Sequence, residues 1–354
     1  MVVHPIHAYL GDHLEEMTAL LEQMARIETP SLDPDAQAPM LQLLTEELNS
    51  VDFEVRLIRG KRSGGHLFAR PKRRLRDRPA QLLLGHCDTV WPVGTLHTMP
   101  LIIDHGIMKG PGVYDMKAGL VQMIYVLKTL RDLGLEPPLT PLVFINSDEE
   151  VGSRESTRTI RRLARMVSRC FVLEPSLDID GKLKTARKGV GRFTVTIRGK
   201  AAHAGLNPEA GASAILELSH VIQKLFGLND PEKGVTVNVG MIDGGLRANV
   251  IAPQSSALVD VRVLTREDAH RIEEAILNLE AETPGVTLEI EGRIGRPPME
   301  RTPANRALWN MALELAHRLD LPLQEGVAGG ASDGNTTSLF TATLDGLGAV
   351  GDGA

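Results

Sequence analysis

Three short apolar runs in this chain each end on a side chain that can ligate a metal or move a proton. Leu82-Leu83-Leu84-Gly85 runs into His86-Cys87-Asp88, Leu142-Val143-Phe144-Ile145 runs into Asn146-Ser147-Asp148-Glu149-Glu150, and Phe171-Val172-Leu173 runs into Glu174. Side chains two apart on a strand share a face, so His86 and Asp88 emerge together. An imidazole whose second nitrogen is held by a carboxylate is a common build for a metal ligand. Taken alone, His-x-Asp is equally a buried histidine beside a turn-forming aspartate. Asp115 stands where a helix N-cap would stand, and Glu149-Glu150 entering a helix can simply complement its dipole. The coincidence of three such exits shifts the weight, because sites in open α/β sheets form outside the carboxyl ends of strands. One imidazole and several carboxylates at such an edge suit two divalent ions about 3.5–4 Å apart that share a bridging carboxylate and a water. One member of the Glu149-Glu150 pair then turns to metal and the other to the water, as general base and acid.

The elements that must position these groups follow from hydrophobic spacing. Leu10, Leu14, Met17, Leu21 and Met24 predict one helix over 6–27, and a second is expected near 38–49. Short strands are expected at 53–57 and 66–69, ahead of the buried strand that ends at His86. A Gly- and Pro-rich loop spans 91–114, and a helix to about 132 carries Leu120, Met123, Ile124, Leu127 and Leu130 on one face. An Arg-rich, solvent-facing helix is expected at about 154–168. From Arg187 the pattern changes: Phe193, Val195 and Ile197 alternate with polar residues, as in a half-buried strand. A helix over 208–227 turns Ile215, Leu218, Ile222 and Leu225 inward. Strands at 235–242 and 255–264, a helix at 266–281 and a strand at 286–292 complete a β-α-β-β-α-β order, the split ferredoxin-like unit. The chain is therefore α/β, with a first domain 1–187, an inserted α+β domain 188–296, and a return to the first over 297–354 after a hinge at Gly295-Arg296-Pro297-Pro298. A helix at 304–319 leads to Gly329-Gly330-Ala331-Ser332-Asp333-Gly334, a glycine-rich loop without a phosphate-loop lysine.

Composition narrows the partners. A net charge of −6 and only 3% aromatic residues argue against nucleic acid and anionic membrane. The basic stretch Arg70–Arg78 is a solvated hairpin loop in this reading rather than a polyanion site. No apolar run approaches the ~18 residues of a membrane span, and the start lacks the basic-then-apolar build of a secretory leader. A cytoplasmic location is expected. Cys87 and Cys170 make no disulfide framework.

The segments Gly85-His-Cys-Asp-Thr-Val, Gly110-Pro-Gly-Val-Tyr-Asp-Met-Lys-Ala-Gly, Asn146-Ser-Asp-Glu-Glu-Val-Gly-Ser, Leu173-Glu-Pro-Ser, Arg187-Lys-Gly-Val-Gly and His203-Ala-Gly occur in this order along nearly the whole chain. Together they resemble the co-catalytic zinc exopeptidases, the family of aminoacylase, acetylornithine deacetylase and the glutamate carboxypeptidases, and within it most resemble the folate-cleaving glutamate carboxypeptidases. The resemblance implies a mixed sheet flanked by helices, with a ferredoxin-like lid and dimerisation domain inserted into it. It implies two divalent ions per chain, zinc by preference with cobalt or manganese as alternatives. His86 and Glu174 would hold one, Glu150 the other, and Asp115 both, with a cis peptide between Asp115 and Met116. Glu149 would be the general base and acid, and Asp88 would orient His86. His203, Asn249, Arg262 and Arg296 would read the substrate: His203 would reach across a homodimer to support the oxyanion, and Asn249 and the two arginines would lie near the substrate carboxylate. For Arg262 and Arg296, structural salt bridges are the alternative. The implied activity is hydrolysis of an amide to release a C-terminal amino acid, glutamate by preference, from a peptide or N-acyl substrate. An N-acyl amino acid deacylase and an inactive peptide-binding relative are the alternatives. One departure stands out: relatives continue the last loop into a histidine that completes the second metal site, and here the sequence stops at Ala354 before it. The expectation is either a truncated sequence or a weakened second site.

Overall fold

The computed structural model describes residues 3–73 and 78–353. Residues 74–77 of the basic stretch, and Ala354, lie outside the described residues. The helical spacing near the start resolves into two helices rather than one, α1 (Val3–Asp12) and α2 (Leu14–Ala25). His13 leaves helical geometry between them (φ −106°, ψ 12°), and Leu14, expected inward, is 61% exposed. The next helix, α3 (Pro34–Ser50), starts four residues earlier than the spacing predicts. Pro34 fits the first helical position, and the Asp33 carboxylate caps the N–H of Ala36 at 3.0 Å.

After α3 come the hairpin β1 (Phe53–Ile58) and β2 (His66–Pro71), the strand β3 (Ala80–His86), the short helix α4 (Thr95–Thr98), and a small hairpin of β4 (Ile102–Asp104) and β5 (Ile107–Lys109). Then follow α5 (Ala118–Asp132), β6 (Thr140–Asn146), α6 (Thr157–Ala164), β7 (Arg169–Val172) and β8 (Leu183–Arg187). The main sheet has the order β1-β2-β6-β3-β7-β14, where β14 is Ala342–Leu344. β6, β3, β7 and β14 run parallel, while β1 and β2 form an antiparallel edge, so the sheet is mixed.

Both faces of the parallel strands are covered, which is why they read as unbroken apolar runs. Leu83, Val143 and Ile145 join α2, α3 and α5 in one core with Met24, Leu44, Leu120 and Ile124. Leu82, Leu84, Phe144 and Val172 join Ile160 and Leu163 of α6 in the other. The helix α6 is shorter than expected. Its apolar side is buried while Arg158, Arg161 and Arg162 stay exposed.

A second unit comprises Ala186–Glu300 together with Ala328–Ala331. It contains β9 (Gly189–Arg198), α7 (Ala214–Phe226), β10 (Thr236–Gly244), β11 (Gln254–Val263), α8 (Arg266–Leu277) and β12 (Thr287–Arg296), in the sheet order β10-β11-β9-β12 with every neighbour antiparallel. Phe193, Val195, Ile197, Val259, Leu218 and Ile272 fill its core. The helix expected from 208 begins only at Ala214, after a single 3₁₀ turn over Pro208–Ala210, where the Ser213 hydroxyl caps the N–H of Leu216. This resets the helix phase. Ile215 is 47% exposed, and Glu217 takes an inward position, fully buried. Its carboxylate is satisfied there by the N–H groups of Glu282 and Thr283. The following helix α8 stops at Leu277 rather than 281.

The first unit resumes with α9 (Pro303–His317), β13 (Glu325–Ala328), which pairs with β8, and α10 (Asp333–Thr337) before β14. The glycine-rich loop is the start of α10: Ser332 and Asn335 form a reciprocal cap, and the buried Asp333 accepts from Asn146 Nδ2 at 2.7 Å and Ser153 Oγ at 2.5 Å.

Candidate metal centre

Because β6, β3 and β7 are adjacent and parallel, their carboxyl ends open at one edge, and the side chains just past them meet. His86 is buried at the end of β3. Its Nε2 lies 3.1 Å from Asp115 Oδ1 and 3.4 Å from Glu174 Oε1. Its Nδ1 lies 3.1 Å from the Asp88 carbonyl oxygen. Ligand-capable atoms of His86, Asp115 and Glu150 all fall within 4.8 Å of one another, and so do those of His86, Glu149 and Glu174. The two groups share the imidazole. One imidazole and four carboxylates, mostly buried and packed this closely, fit divalent cations: the donors are those of zinc, cobalt and manganese sites, and dications offset the crowding of like charge.

Asp115 does not cap a helix. It sits inside a tight five-residue turn, Val113–Lys117, entered through Gly112 at φ +68°, and α5 begins only after Lys117. The Asp115–Met116 peptide is cis. Met116 packs beneath Gly85, where its sulfur accepts the N–H of His86 at 3.2 Å. Lys117 is buried and donates to the Ile27 carbonyl at 2.8 Å, and burial pushes its ammonium down to about 8.

Glu174 is held through its backbone. Leu173 N–H donates to Leu84 O at 2.9 Å, and Gly348 N–H donates to Glu174 O at 2.8 Å. Two glycines approach this backbone so closely that a methyl group would not fit. A Cβ on Gly119 of α5 would lie 1.9 Å from Leu173 O, and one on Gly348 would lie 2.4 Å from the same oxygen.

Asp88 faces His86 Nδ1 with Oδ1 at 3.4 Å, but its tighter contacts are elsewhere. Oδ1 accepts the N–H of Glu149 at 3.1 Å, and Oδ2 accepts the N–H of Glu150 at 3.1 Å and the hydroxyl of Ser31 at 2.7 Å. Burial alone would raise Asp88, yet the His86 and Ser31 hydrogen bonds and the Glu150 amide hold it below the usual carboxylate range. Burial would likewise lower His86, but hydrogen bonds to Asp115, Asp88 and Glu174 bring it well above the ordinary imidazole value. Burial, reinforced by the Asp115, Asp88 and Glu174 charges and opposed by His86, pushes Glu150 up to about 7.

The remaining predicted residues belong to the second unit. His203 and Asn249 are exposed on neighbouring segments: His203 bridges to Val250, and Ala204 N–H donates to Asn249 O at 3.0 Å. Arg262 and Arg296 lie opposite Val190 from either side, on β11 and β12, and Arg262 pairs with Asp260 at 2.7 Å. Sequence reasoning missed Ser31, Gly119, Gly348 and also Gln37, whose amide ties Pro30 O, Ser147 O and Gly64 N together. None of these residues advertises itself. Apart from Pro30, which is near Gln37 in the chain, their partners lie 27 to 175 positions away, and no periodicity encodes such a meeting.

Residues 185–284 match the family described as a peptidase dimerisation domain, M20_dimer. The chain is 31% identical over 254 residues to carboxypeptidase G2 of Pseudomonas sp. (strain RS-16), a match covering 70% of this chain and 60% of that protein. It is 31% identical over 245 residues to succinyl-diaminopimelate desuccinylase 2 of Shewanella loihica, covering 64% and 62%. The match thus spans about three fifths of the length of these curated relatives. Among solved structures, aminopeptidase PepT from Bacillus cereus superposes with a TM-score of 0.76 at 21% identity, covering 94% of this chain and 89% of that one. The M20 family metallo-carboxypeptidase Sso-CP2 from Sulfolobus solfataricus gives 0.73 at 15% identity, covering 94% and 91%. The chain thus has the fold of these solved peptidases, contains a peptidase dimerisation domain over residues 185–284, and is similar in sequence to carboxypeptidase G2 and to a succinyl-diaminopimelate desuccinylase.

Proposed function

We propose that this chain is a metal-dependent amidohydrolase that releases an amino acid with a free α-carboxylate, glutamate by preference, from a short peptide or N-acyl substrate. The observation that carries the reading is the pair of overlapping donor groups centred on His86 at the carboxyl edge of three parallel strands. In this reading His86 and Glu174 hold one divalent cation, zinc by preference, Glu150 holds the other, and Asp115 serves both. When bound, such a pair polarises the scissile carbonyl and acidifies a water. Glu149 accepts the proton from that water and delivers it to the departing amine. Asp88 keeps the backbone of the two glutamates and the His86 ring in place. In the second unit, Asn249, Arg262 and Arg296 bind the substrate carboxylate, a task that suits the guanidinium fork, and His203 supports the oxyanion in the site of the other copy of a homodimer. The dimerisation domain supports a homodimer as the working assembly. No helix among the described residues is long and apolar enough to cross a membrane; a cytoplasmic location belongs to the same proposal.

The likeness to a desuccinylase supports a second reading, removal of an acyl group from an amino acid. The test is hydrolysis by zinc-, cobalt- or manganese-loaded protein of an N-acyl-glutamate and a folyl-glutamate, set against succinyl- and acetyl-amino acids. Glu149→Gln should keep two metals per chain and lose roughly 10²–10⁴-fold in kcat. Full activity in that variant would remove Glu149 from its role. A wild-type protein that takes up no metal and cleaves none of the four substrates would refute the proposal as a whole.

A further inference from the structure

We infer that Ser31 is a positioning residue for the Glu149-Glu150 pair, acting through the carboxylate of Asp88. The inference rests on the functional reading above, in which Glu150 holds a cation and Glu149 carries the proton. Asp88 is fully buried, and its two oxygens are divided between two jobs. Oδ1 takes the Glu149 N–H and faces the His86 ring, while Oδ2 takes the Glu150 N–H. The carboxyl torsion is broad and intrinsically two-fold, so two amides at 3.1 Å fix it loosely. The Ser31 hydroxyl makes the shortest contact on the group, 2.7 Å to Oδ2, from 57 positions earlier in the sequence. A hydroxyl bonded to an ionised acceptor in a buried setting is about twice as strong as a neutral pair.

The segment that carries Ser31 is itself held at both ends of this arrangement. Thr89 N–H donates to Thr29 O at 2.8 Å, just past Asp88. Gln37 Nε2 donates both to Pro30 O and to Ser147 O at 2.9 Å, just before the glutamates. Residues 29–31 therefore act as a strap across the exits of β3 and β6, and Ser31 is the point where the strap grips the carboxylate. Without that hydroxyl, Oδ2 keeps the Glu150 amide as its remaining hydrogen-bond donor. The carboxylate can then turn, and the Glu149-Glu150 backbone turns with it. Metal sites are sensitive to such supporting groups: their loss typically costs 10–100-fold in affinity or activity.

The experiment compares wild type with Ser31→Ala, Ser31→Cys, Ser31→Thr, Asp88→Asn and the Ser31→Ala/Asp88→Asn double variant. Zn²⁺ binding is followed by calorimetry, the Co²⁺-loaded proteins by their visible absorption spectrum, and hydrolysis by kcat and KM. Ser31→Ala and Ser31→Cys should weaken the more weakly held ion by roughly 10–100-fold, shift the Co²⁺ spectrum, and lower kcat with KM little changed. Ser31→Thr, which keeps the hydroxyl, should recover most of the loss. On the Asp88→Asn background, Ser31→Ala should add nothing, because its effect passes through that carboxylate. Losses that multiply in the double variant would overturn the inference. So would an unchanged isotherm and spectrum in Ser31→Ala and Ser31→Cys, whatever their melting temperatures. Ser31→Cys preserves shape and keeps the test decisive if Ser31→Ala folds poorly. A wild-type protein that binds no Zn²⁺ would instead refute the functional reading itself.

Discussion

Gly119→Ala sets two effects of opposite sign against each other at one atom. Gly119 is the second residue of α5, and Ala is favoured over Gly inside a helix by about 1 kcal/mol, so propensity alone predicts a more stable protein. Packing predicts the reverse. The new methyl would stand 1.9 Å from the carbonyl oxygen of Leu173, where no real contact falls below 3.0 Å, so one backbone must move by about 1.1 Å, the difference of the two. The strand cannot simply step aside. Leu173 N–H is hydrogen-bonded to Leu84 O of β3, and Gly348 also crowds that carbonyl, since a Cβ built on it would stand 2.4 Å from the same oxygen. Overpacking of this kind costs roughly 1–3 kcal/mol, enough to cancel the propensity gain and leave a net loss of up to about 2 kcal/mol. The larger consequence falls on the next residue, Glu174. A displacement near 1 Å is half the length of a ~2.0–2.2 Å metal–oxygen bond, and misplacement of that size can cost 10²-fold in rate. Thermal denaturation and Zn²⁺ titration of the variant check both parts. A melting temperature at or above wild type, with unchanged Zn²⁺ affinity, would show that the close approach does not govern where Glu174 sits.

Other perturbations have equally definite outcomes. Chelation should lower the melting temperature of the first unit, and a cation restored at about 100 times its Kd should return ~2.7 kcal/mol per site; a chelator-insensitive melt would contradict the metal centre. Asp33→Ala removes the cap of α3 and should cost about 1 kcal/mol by denaturant titration, without altering metal uptake. Glu217→Gln tests a buried charge in the second unit. Burial opposes ionisation there, but the Thr283 and Glu282 hydrogen bonds outweigh it and lower the carboxyl below the ordinary glutamate range. A lowered native value means the stabilisation is complete above the unfolded-state value and fades as pH falls through the native one. Wild type should therefore exceed Glu217→Gln by about 2 kcal/mol at pH 7, with the gap closing in acid, and a pH-independent gap would refute the assignment.

Much of the layout could be read from residue order because strand burial and strand exit are local properties. Apolar runs with His86, Glu149 and Glu174 at their ends announce parallel strands covered on both faces, and alternation around Phe193 announces a sheet covered on one. Phase errors arose where a polar contact outvoted hydrophobicity. Glu217 occupies an inward place that the spacing assigned to its neighbours, because two distant amides satisfy it. Leu14 is turned outward by the break at His13. Asp115 resembled a cap because a tight turn and a helix start share the same residue types. The supporting groups of the centre, Ser31, Gly119 and Gly348, act over long chain distances through a hydroxyl or through the lack of a side chain, and neither leaves a periodic trace.

The sheet of the first unit is finished by a strand that the ribosome delivers late. β14 joins β7 only after the whole second unit has been made between them, so β7 spends that interval as an unpaired flank. Closing a gap of that length from a loose chain would carry an entropic toll that grows with the logarithm of its span. Arg187 and Met299, which exchange paired backbone hydrogen bonds at 3.0 Å where the second unit begins and ends, remove most of it. Once that unit has folded, its two termini are already adjacent, and the polypeptide resumes as though over a hundred residues had been spliced out.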